Sequence, residues 1–410
     1  MKGRVSTTSP RVRGWCPGAW RPMATGDGLL VRVRPEMGRL TRAQGLALCD
    51  AAETWGSGLI ELTRRANLQL RGVSEAGWPA LMAHLVEHRL VAPDAEAERR
   101  PALLLAPDWR DGDATHRAAR LLQERLDAWP TLPGKWGLAL DAGPLPALTE
   151  ASADLRLERS REGGLLVRAD GRALGTPVDD VEAAVALMTR LARWFVDAGG
   201  LEAGRMRRFT APLPEWAAAV AVPAAAFDDA PSLALGAHPA GRVVGLPFGR
   251  APASTLRAAL ASEAITGIRV TPWRRLLLEG RRMNMNDGGG EPPAGLIHDA
   301  RDPRLAMDAC PGAPYCAQAS VATLGLALSM AEKWRERLAE RRDERTGQRD
   351  IGRVHISGCA KGCARSRPAE LCLTGRDGRF DLILGGRADD TPVATGLSEA
   401  EVLAALKENK

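Results

Sequence analysis

Cys310-Pro-Gly-Ala-Pro-Tyr-Cys316 and, further along, Cys359-Ala-Lys-Gly-Cys363 are the stretches on which the reading of this chain turns. Four thiolates arranged as C-x5-C and C-x3-C can converge on one metal centre. Zinc typically takes tighter C-x2–4-C knuckles on both sides, which the wide first pair fits poorly. Iron–sulfur clusters accept more varied spacing because their ligand sulfurs sit on a larger cube. A 4Fe–4S cluster on Cys310, Cys316, Cys359 and Cys363 is therefore the favoured reading, with one zinc ion as the other. The apolar periodicity from Ala317 to Arg337 predicts a helix starting just after Cys316, whose free N–H groups and positive dipole end would face an anionic cluster. Gly358 and Gly362 leave backbone room beside the sulfurs, and Lys361 is the cation of that loop.

The remaining cysteines, Cys16, Cys49 and Cys372, stand apart, and seven in 410 residues is far below the density of a disulfide scaffold. Cys49 on an apolar helix face and Cys372 between Leu371 and Leu373 read as core residues, whereas Cys16 sits in a Pro-containing turn and is a further candidate. The length implies two to four packed units. No stretch approaches the ~18–20 apolar residues of a membrane span, and Met1 to Arg13 has no apolar core of a leader, so a cytoplasmic protein is expected. The formal charge is +6 with only six lysines among 56 cations. Nucleic acid is not the expected partner: zinc-finger spacing and aromatic–basic strands are lacking, with one Tyr and five Phe for base stacking.

Pattern divides the chain into an α+β series. Gly28–Val33, a helix over 40–54 after the cap candidate Thr41, a strand over Gly58–Val73 and a helix over Trp78–His88 make a first β-α-β-α unit over 20–90. A mixed segment, 91–205, carries helices near 114–129 and 178–197 and strands near 136–141 and 164–169. Residues 206–235, rich in Pro and Ala, suit a linker. The unit over 236–283 repeats the first: setting Thr271 on Thr63 lines up Gly267-Ile268-Arg269-Val270-Thr271 with Leu59-Ile60-Glu61-Leu62-Thr63. Asn284–Gly295 reads as a hinge before the cysteine unit, 296–405. Its triple glycine is followed by Glu and Pro, and neither G-x-G-x-x-G nor a Walker A motif occurs, so direct nicotinamide binding is not indicated.

A second chemical signal lies over Leu62–Arg71. Read as one strand, its period of two sets Arg65, Asn67, Gln69 and Arg71 on one face, ~6.6–6.8 Å apart, as a row of donors for a polyanionic ligand. Arg32 and Arg34 alternate with Val31 and Val33 in the same way. The alternative is a solvated polar face.

These residues carry a resemblance. The cysteine spacing, the repeated half-units and Leu62-Thr63-Arg64-Arg65-Ala66-Asn67-Leu68-Gln69 resemble the nitrite/sulfite reductase superfamily. Arg13-Gly14-Trp15-Cys16-Pro17-Gly18, Pro22-Met23-Ala24-Thr25-Gly26-Asp27-Gly28 and Val354-His355-Ile356-Ser357-Gly358-Cys359 are closer still to its precorrin-3B synthase branch. The resemblance implies a nitrite/sulfite reductase-like fold: a pseudo-two-fold pair of ferredoxin-like half-domains plus two α/β domains, the C-terminal one carrying the iron–sulfur cluster. The reductases have Gln where this chain has Ala66, and an R-K-x-K run where it has Gly134-Lys135-Trp136-Gly137. The branch implies instead a monooxygenase of aerobic cobalamin biosynthesis. It would hydroxylate precorrin-3A at C20 with O2 and close a γ-lactone, with the tetrapyrrole on the surface sirohaem occupies in the reductases. Arg32, Arg34, Arg65, Asn67, Gln69 and Lys135 would bind the substrate.

The resemblance further implies a mononuclear non-haem iron and electrons ultimately from NADH through a separate donor or reductase; sirohaem is not expected. Ligands for that iron are open: His355, in a strand just before Cys359, and His298, beside Asp299, are the candidates, while His84 and His88 read as solvated positions on one helix. The alternative functions are a sirohaem-dependent nitrite/sulfite reductase and a zinc-stabilised binding protein.

Overall fold

The helix expected after Thr41 runs Arg42–Trp55, and its start is a capping box: the Thr41 side chain accepts from the Gln44 N–H while Gln44 reaches back to the Thr41 backbone. A computed structural model describes residues 16–224, 233–280, 293–340 and 352–408. Residues 1–15, and with them Arg13 to Trp15 of the N-terminal motif, lie outside the described residues, as does most of the Asn284–Gly295 hinge.

Around that helix, β1 (Met23–Thr25), β2 (Gly28–Val33), β3 (Arg39–Thr41), β4 (Leu59–Leu62) and β5 (Leu68–Val73) form the first unit. The stretch Gly58–Val73, expected as one strand, is a hairpin. Thr63 N–H bonds the Asn67 carbonyl, the Thr63 hydroxyl accepts from the N–H groups of Arg65 and Asn67, and Ala66 takes a left-handed φ of 51°. Arg65 and Asn67 thus sit in a turn rather than in a row with Gln69 and Arg71. Turns of this kind usually advertise themselves with glycine, and here an alanine closes it.

Next come β6 (Ala102–Leu105), β7 (Gly137–Asp141), β8 (Leu155–Arg159), β9 (Leu165–Ala169) and β10 (Thr176–Val178), with helices Ala114–Arg125 and Val181–Asp197 packed on them. The expected linker over 206–235 is partly packed: Met206 and Ala217 enter this core, and Ala221 and Pro223 bridge Gly175 and Ser160. Its apolar side chains gain more from burial than its prolines lose in ladder bonds. The second half-unit is β11 (Gly236–His238), β12 (Gly241–Gly245), β13 (Arg250–Pro252), β14 (Ile265–Val270) and β15 (Arg275–Gly280). The last sheet is β16 (Met307–Ala309), β17 (Val354–Ser357), β18 (Ala369–Arg376), β19 (Arg379–Gly386) and β20 (Ala394–Leu397).

Sheet order exposes the duplication. The half-unit sheets run β1-β2-β5-β4-β13 and β11-β12-β15-β14-β3, so each lends its short third strand to the other. Ala251 pairs with Ile60, and Leu40 with Ile268. The same left-handed residue recurs before each lent strand, Met37 at φ 50° and Phe248 at φ 55°. One core unites both halves, with Leu48, Ile60 and Leu70 beside Leu256, Ile268 and Leu278. Each such side chain is worth about 1.5–3 kcal/mol when removed from water, so neither half closes its core alone. The outer sheets run β10-β9-β8-β7-β6 and β16-β17-β18-β19-β20, each with three parallel strands and an antiparallel end. Among the described residues no helix is long and apolar enough to cross a membrane.

Candidate functional site

Parallel pairing explains how two distant cysteine segments meet. Strands β16 and β17 lie side by side with Ala309 opposite Ile356, so Cys310 and Cys359 leave the same end of the sheet. Cys310 N–H bonds the Ile356 carbonyl at 3.2 Å, and the Gly358 N–H donates to Cys310 Sγ at 3.1 Å. The two loops pack tightly: a Cβ on Gly358 would stand 2.6 Å from that of Ala319 and 3.2 Å from Gly312 Cα. The helix expected from Ala317 starts only at Leu324. Residues 317–323 instead form turns, because Ser320 N–H bonds the Gly358 carbonyl and Gly312 bridges Ala322. The helix is entered through Thr323, whose hydroxyl donates to the Cys310 carbonyl at 2.6 Å. The helix end is therefore not set directly after Cys316.

None of the four sulfurs is in a disulfide. They are near enough to repel one another as anions: burial first, then the charges of Cys316 and Cys310, push the Cys359 thiol up, opposed by the Lys361 N–H. Desolvation, then the charges of Cys359, Cys310 and Cys316, push Cys363 up to about 11 against Lys361. Such thiols shed their protons to a metal rather than to water. His355 adds a second mark of fit. It is fully buried, its Nε2 has no partner, its Nδ1 meets Cys372 Sγ at 3.5 Å, and a Cβ on Gly362 would lie 3.5 Å from its Cε1. Burial holds it neutral, at about 4. Four thiols and an orphaned nitrogen on a ring beside Gly362 suit a sulfur-rich cluster better than a closed hydrogen-bonded core. Cys49 and Cys372 are buried, as expected of core residues.

The two cysteine loops are tied to the half-domains by residues the sequence reading passed over. Asp308, two residues before Cys310, takes Arg274 and Arg365; Arg274 also donates to the carbonyls of Met307 and Ala364, the latter next to Cys363. Arg64, not Arg65, reaches Ala364 and Ser366. The partners lie from tens to hundreds of positions away, so local pattern could not show them; in the fold, Arg274 falls on Ala66 in the repeat and shares its left-handed backbone, at φ 59°.

The ligand-surface candidates do assemble, though not as a strand row. Arg65 Nη1 donates to the Lys135 carbonyl at 3.0 Å and Nη2 to Ser152, which Arg205 also holds. Arg32 donates to Gln69 Oε1 at 2.8 Å. Arg34 donates to the Glu98 carbonyl, and the Nε atoms of both Arg32 and Arg34 are buried without a partner. Burial, with the charges of Arg34 and Arg65, holds Arg32 below the usual arginine range while Cys16 raises it; Arg65 is lowered by burial and Arg205. Cys16, Arg32, Arg34, Arg65 and Arg205 thus form one electropositive cluster, which Lys135 meets through its backbone carbonyl. Asn67 is buried and lines, with Arg34, Arg100 and Arg120, an 820 Å³ cavity that touches none of the four cysteines. His298 lies by the second half-unit, lowered by burial and by Arg242. His84 is half-buried rather than fully solvated, its Nε2 meeting the Ala47 carbonyl at 2.9 Å and its ring packing on Trp55 and His88, while His88 is exposed as expected. Among the described residues no three His, Cys, Asp or Glu groups close around one ion.

Known proteins share this architecture. Residues 21–88 match the nitrite/sulfite reductase ferredoxin-like half domain. The NirA protein of Mycobacterium tuberculosis superposes with a TM-score of 0.63 over 92% of this chain and 79% of its own, at 17% identity, a likeness of fold. A sulfite reductase (NADPH) hemoprotein beta-component 2 of Klebsiella pneumoniae is 31% identical over 38% of this chain and 27% of its own. A precorrin-3B synthase of Sinorhizobium sp is 31% identical over 96% of this chain and 87% of its own. With a relative matched along nearly the whole of both chains, and with the duplicated half-domains and the cysteine-bearing sheet in place, this chain belongs to the precorrin-3B synthase family, the cobalamin branch of the nitrite/sulfite reductase superfamily.

Proposed function

We infer that this oxidoreductase-type enzyme is a precorrin-3B synthase acting as a monooxygenase: precorrin-3A takes one atom of O2 at C20 and closes a γ-lactone with its ring A acetate. The other oxygen atom leaves as water, with two protons and two electrons that come ultimately from NADH through a separate donor. The observation that carries the reading is the pair of buried, unpartnered guanidinium nitrogens of Arg32 and Arg34 beside Arg65. An unpaired buried donor costs ~1–3 kcal/mol until a partner arrives, and a carboxylate-rich tetrapyrrole supplies such partners.

Cys310, Cys316, Cys359 and Cys363 would hold a 4Fe–4S cluster. When bound it would supply single electrons for the oxygen chemistry. The chain's own residues bind and orient. Lys135 and Ser152 fix the plane of the Arg65 fork, and Gln69 fixes Arg32. Neutral His355, its ring beside Gly362, has an unpartnered Nε2 to offer as an N–H or a lone pair without adding charge.

Anaerobically purified protein is expected to hold about four or five irons with inorganic sulfide and no haem absorption. Bound sirohaem would point to the reductase, and a single zinc to neither. Replacing Arg32, Arg34, Arg65 or Lys135 by a neutral residue should weaken tetrapyrrole binding by ~1–3 kcal/mol each. Added salt should weaken wild-type binding too. Unchanged affinity in all four variants, measured by fluorescence quenching, would return this face to solvent.

A further inference from the structure

Setting Thr271 on Thr63 places Arg269 on Glu61 and Glu279 on Arg71. The two half-domains therefore carry the same buried ion pair with its polarity exchanged. In the second half, Arg269 Nε meets Glu279 Oε1 at 2.6 Å, and the lent strand adds Arg39 at 2.5 Å. In the first, Arg71 lies 3.9 Å from Glu61, and the strand lent in return adds Arg250 at 3.0 Å. All four members of the two pairs are buried.

Each arginine then reaches out of its sheet to the same kind of target. Arg269 donates to the carbonyls of Pro107 and Trp109, in the segment leaving β6, and its guanidinium stacks 4.1 Å from the Trp109 ring. Arg71 donates at 2.7 Å to the carbonyl of Tyr315, in the segment leaving β16, and the Gly26 N–H donates to the same oxygen. Strands β6 and β16 are the equivalent edge strands of the two outer sheets. One arginine docks a segment without cysteines; the other docks the residue next to Cys316. Arg71 is aimed by Asp27, which takes its Nε at 3.1 Å and Nη2 at 2.9 Å. It also shares a strand face with Gln69, which holds Arg32.

On the reading that the four cysteines hold a cluster, we propose that Arg71, aimed by Asp27, is a positioning residue that fixes the Cys316 side of the cluster against the tetrapyrrole-binding strand. Its fork joins β5 to the cysteine loop, so on the Cys316 side the cluster and the arginine surface are held in one register by one buried cation beside the Gly26 N–H. Loss of that fork leaves the Tyr315 carbonyl on the Gly26 N–H alone and loosens Cys316.

The duplication provides the control. In full-length, cluster-loaded protein, R71M and D27N should release iron to a chelator about 10–100-fold faster than wild type, the range for lost outer support of a metal ligand, and should shift the cluster's midpoint potential. R71K, which keeps the charge, should fall between. R269M loses the equivalent clamp and should lower the melting temperature comparably, yet leave iron release and potential at wild-type values. Wild-type release and potential in both R71M and D27N would overturn the proposal, as would equal changes in R269M. D27N carries the test alone if R71M does not accumulate. A wild-type protein that holds no iron and sulfide would instead overturn the cluster reading on which the proposal rests.

Discussion

Cys310→Ser is expected to abolish the broad visible absorption of the purified protein, its inorganic sulfide and all turnover, and the same holds for Cys316→Ser, Cys359→Ser and Cys363→Ser. Four thiolates are the full ligand set of a cubane, so removing one leaves no spare to replace it. Cys310 is the most demanding of the four, because its sulfur also receives the Gly358 N–H and its carbonyl receives the Thr323 hydroxyl. Cys49→Ser is the control. That thiol is buried on the Arg42–Trp55 helix, away from the cysteine loops, and burial pushes it up to about 12. Its replacement should cost some stability and no iron. Iron and sulfide assays beside circular dichroism separate cluster loss from unfolding. Two cysteine variants that keep full iron and activity would sink the assignment.

The meeting of the two cysteine segments was legible in the sequence, because thiols spaced as a ligand set imply convergence whatever the chain does between them. The duplication was readable too, since Leu59–Thr63 and Gly267–Thr271 share an Ile and a Thr at matching positions and the same place after a helix. Local conformation was harder. The Thr63–Asn67 turn was hidden because Ala66 takes the left-handed backbone that glycine would have announced, and the helix after Cys316 was placed too early because apolar spacing begins before the backbone is free to coil. Long-range ion pairs were not readable at all. Arg71 looks like a fourth donor in a row, and only the fold shows its fork turned inward to Asp27 and Tyr315. Arg64, Arg205, Arg274 and Asp308 belong to the same class. Fifty arginines in one chain make pairing by eye arbitrary until the backbone selects among them.

The reaction itself has to be argued from the site, because the fold serves both reductases and this branch. Gly137 stands where the reductase run has its second lysine, and the structure shows why a lysine does not fit here. A Cβ at Gly137 would lie 2.9 Å from the Ala102 carbonyl, across the parallel β6–β7 pair, and the Gly137 N–H is held by Asp154. Trp136 before it is buried against Trp129 and Phe195. A small oxyanion therefore loses one of the charges that would hold it. A macrocycle bearing many carboxylates would lose little, on the proposal that Arg32, Arg34, Arg65 and Lys135 share the load. The expected outcome follows: given reductant, the protein consumes precorrin-3A only when dioxygen is present, and the product is one oxygen atom heavier, with that atom labelled by isotopic dioxygen and not by labelled water. Turnover with NADH should require an added electron carrier, as no nucleotide-binding motif is present in the sequence. Mass spectrometry of the product under labelled dioxygen decides the matter. Equal product under strict exclusion of oxygen would refute the monooxygenase, and rapid six-electron reduction of nitrite or sulfite on a bound sirohaem would establish the reductase in its place.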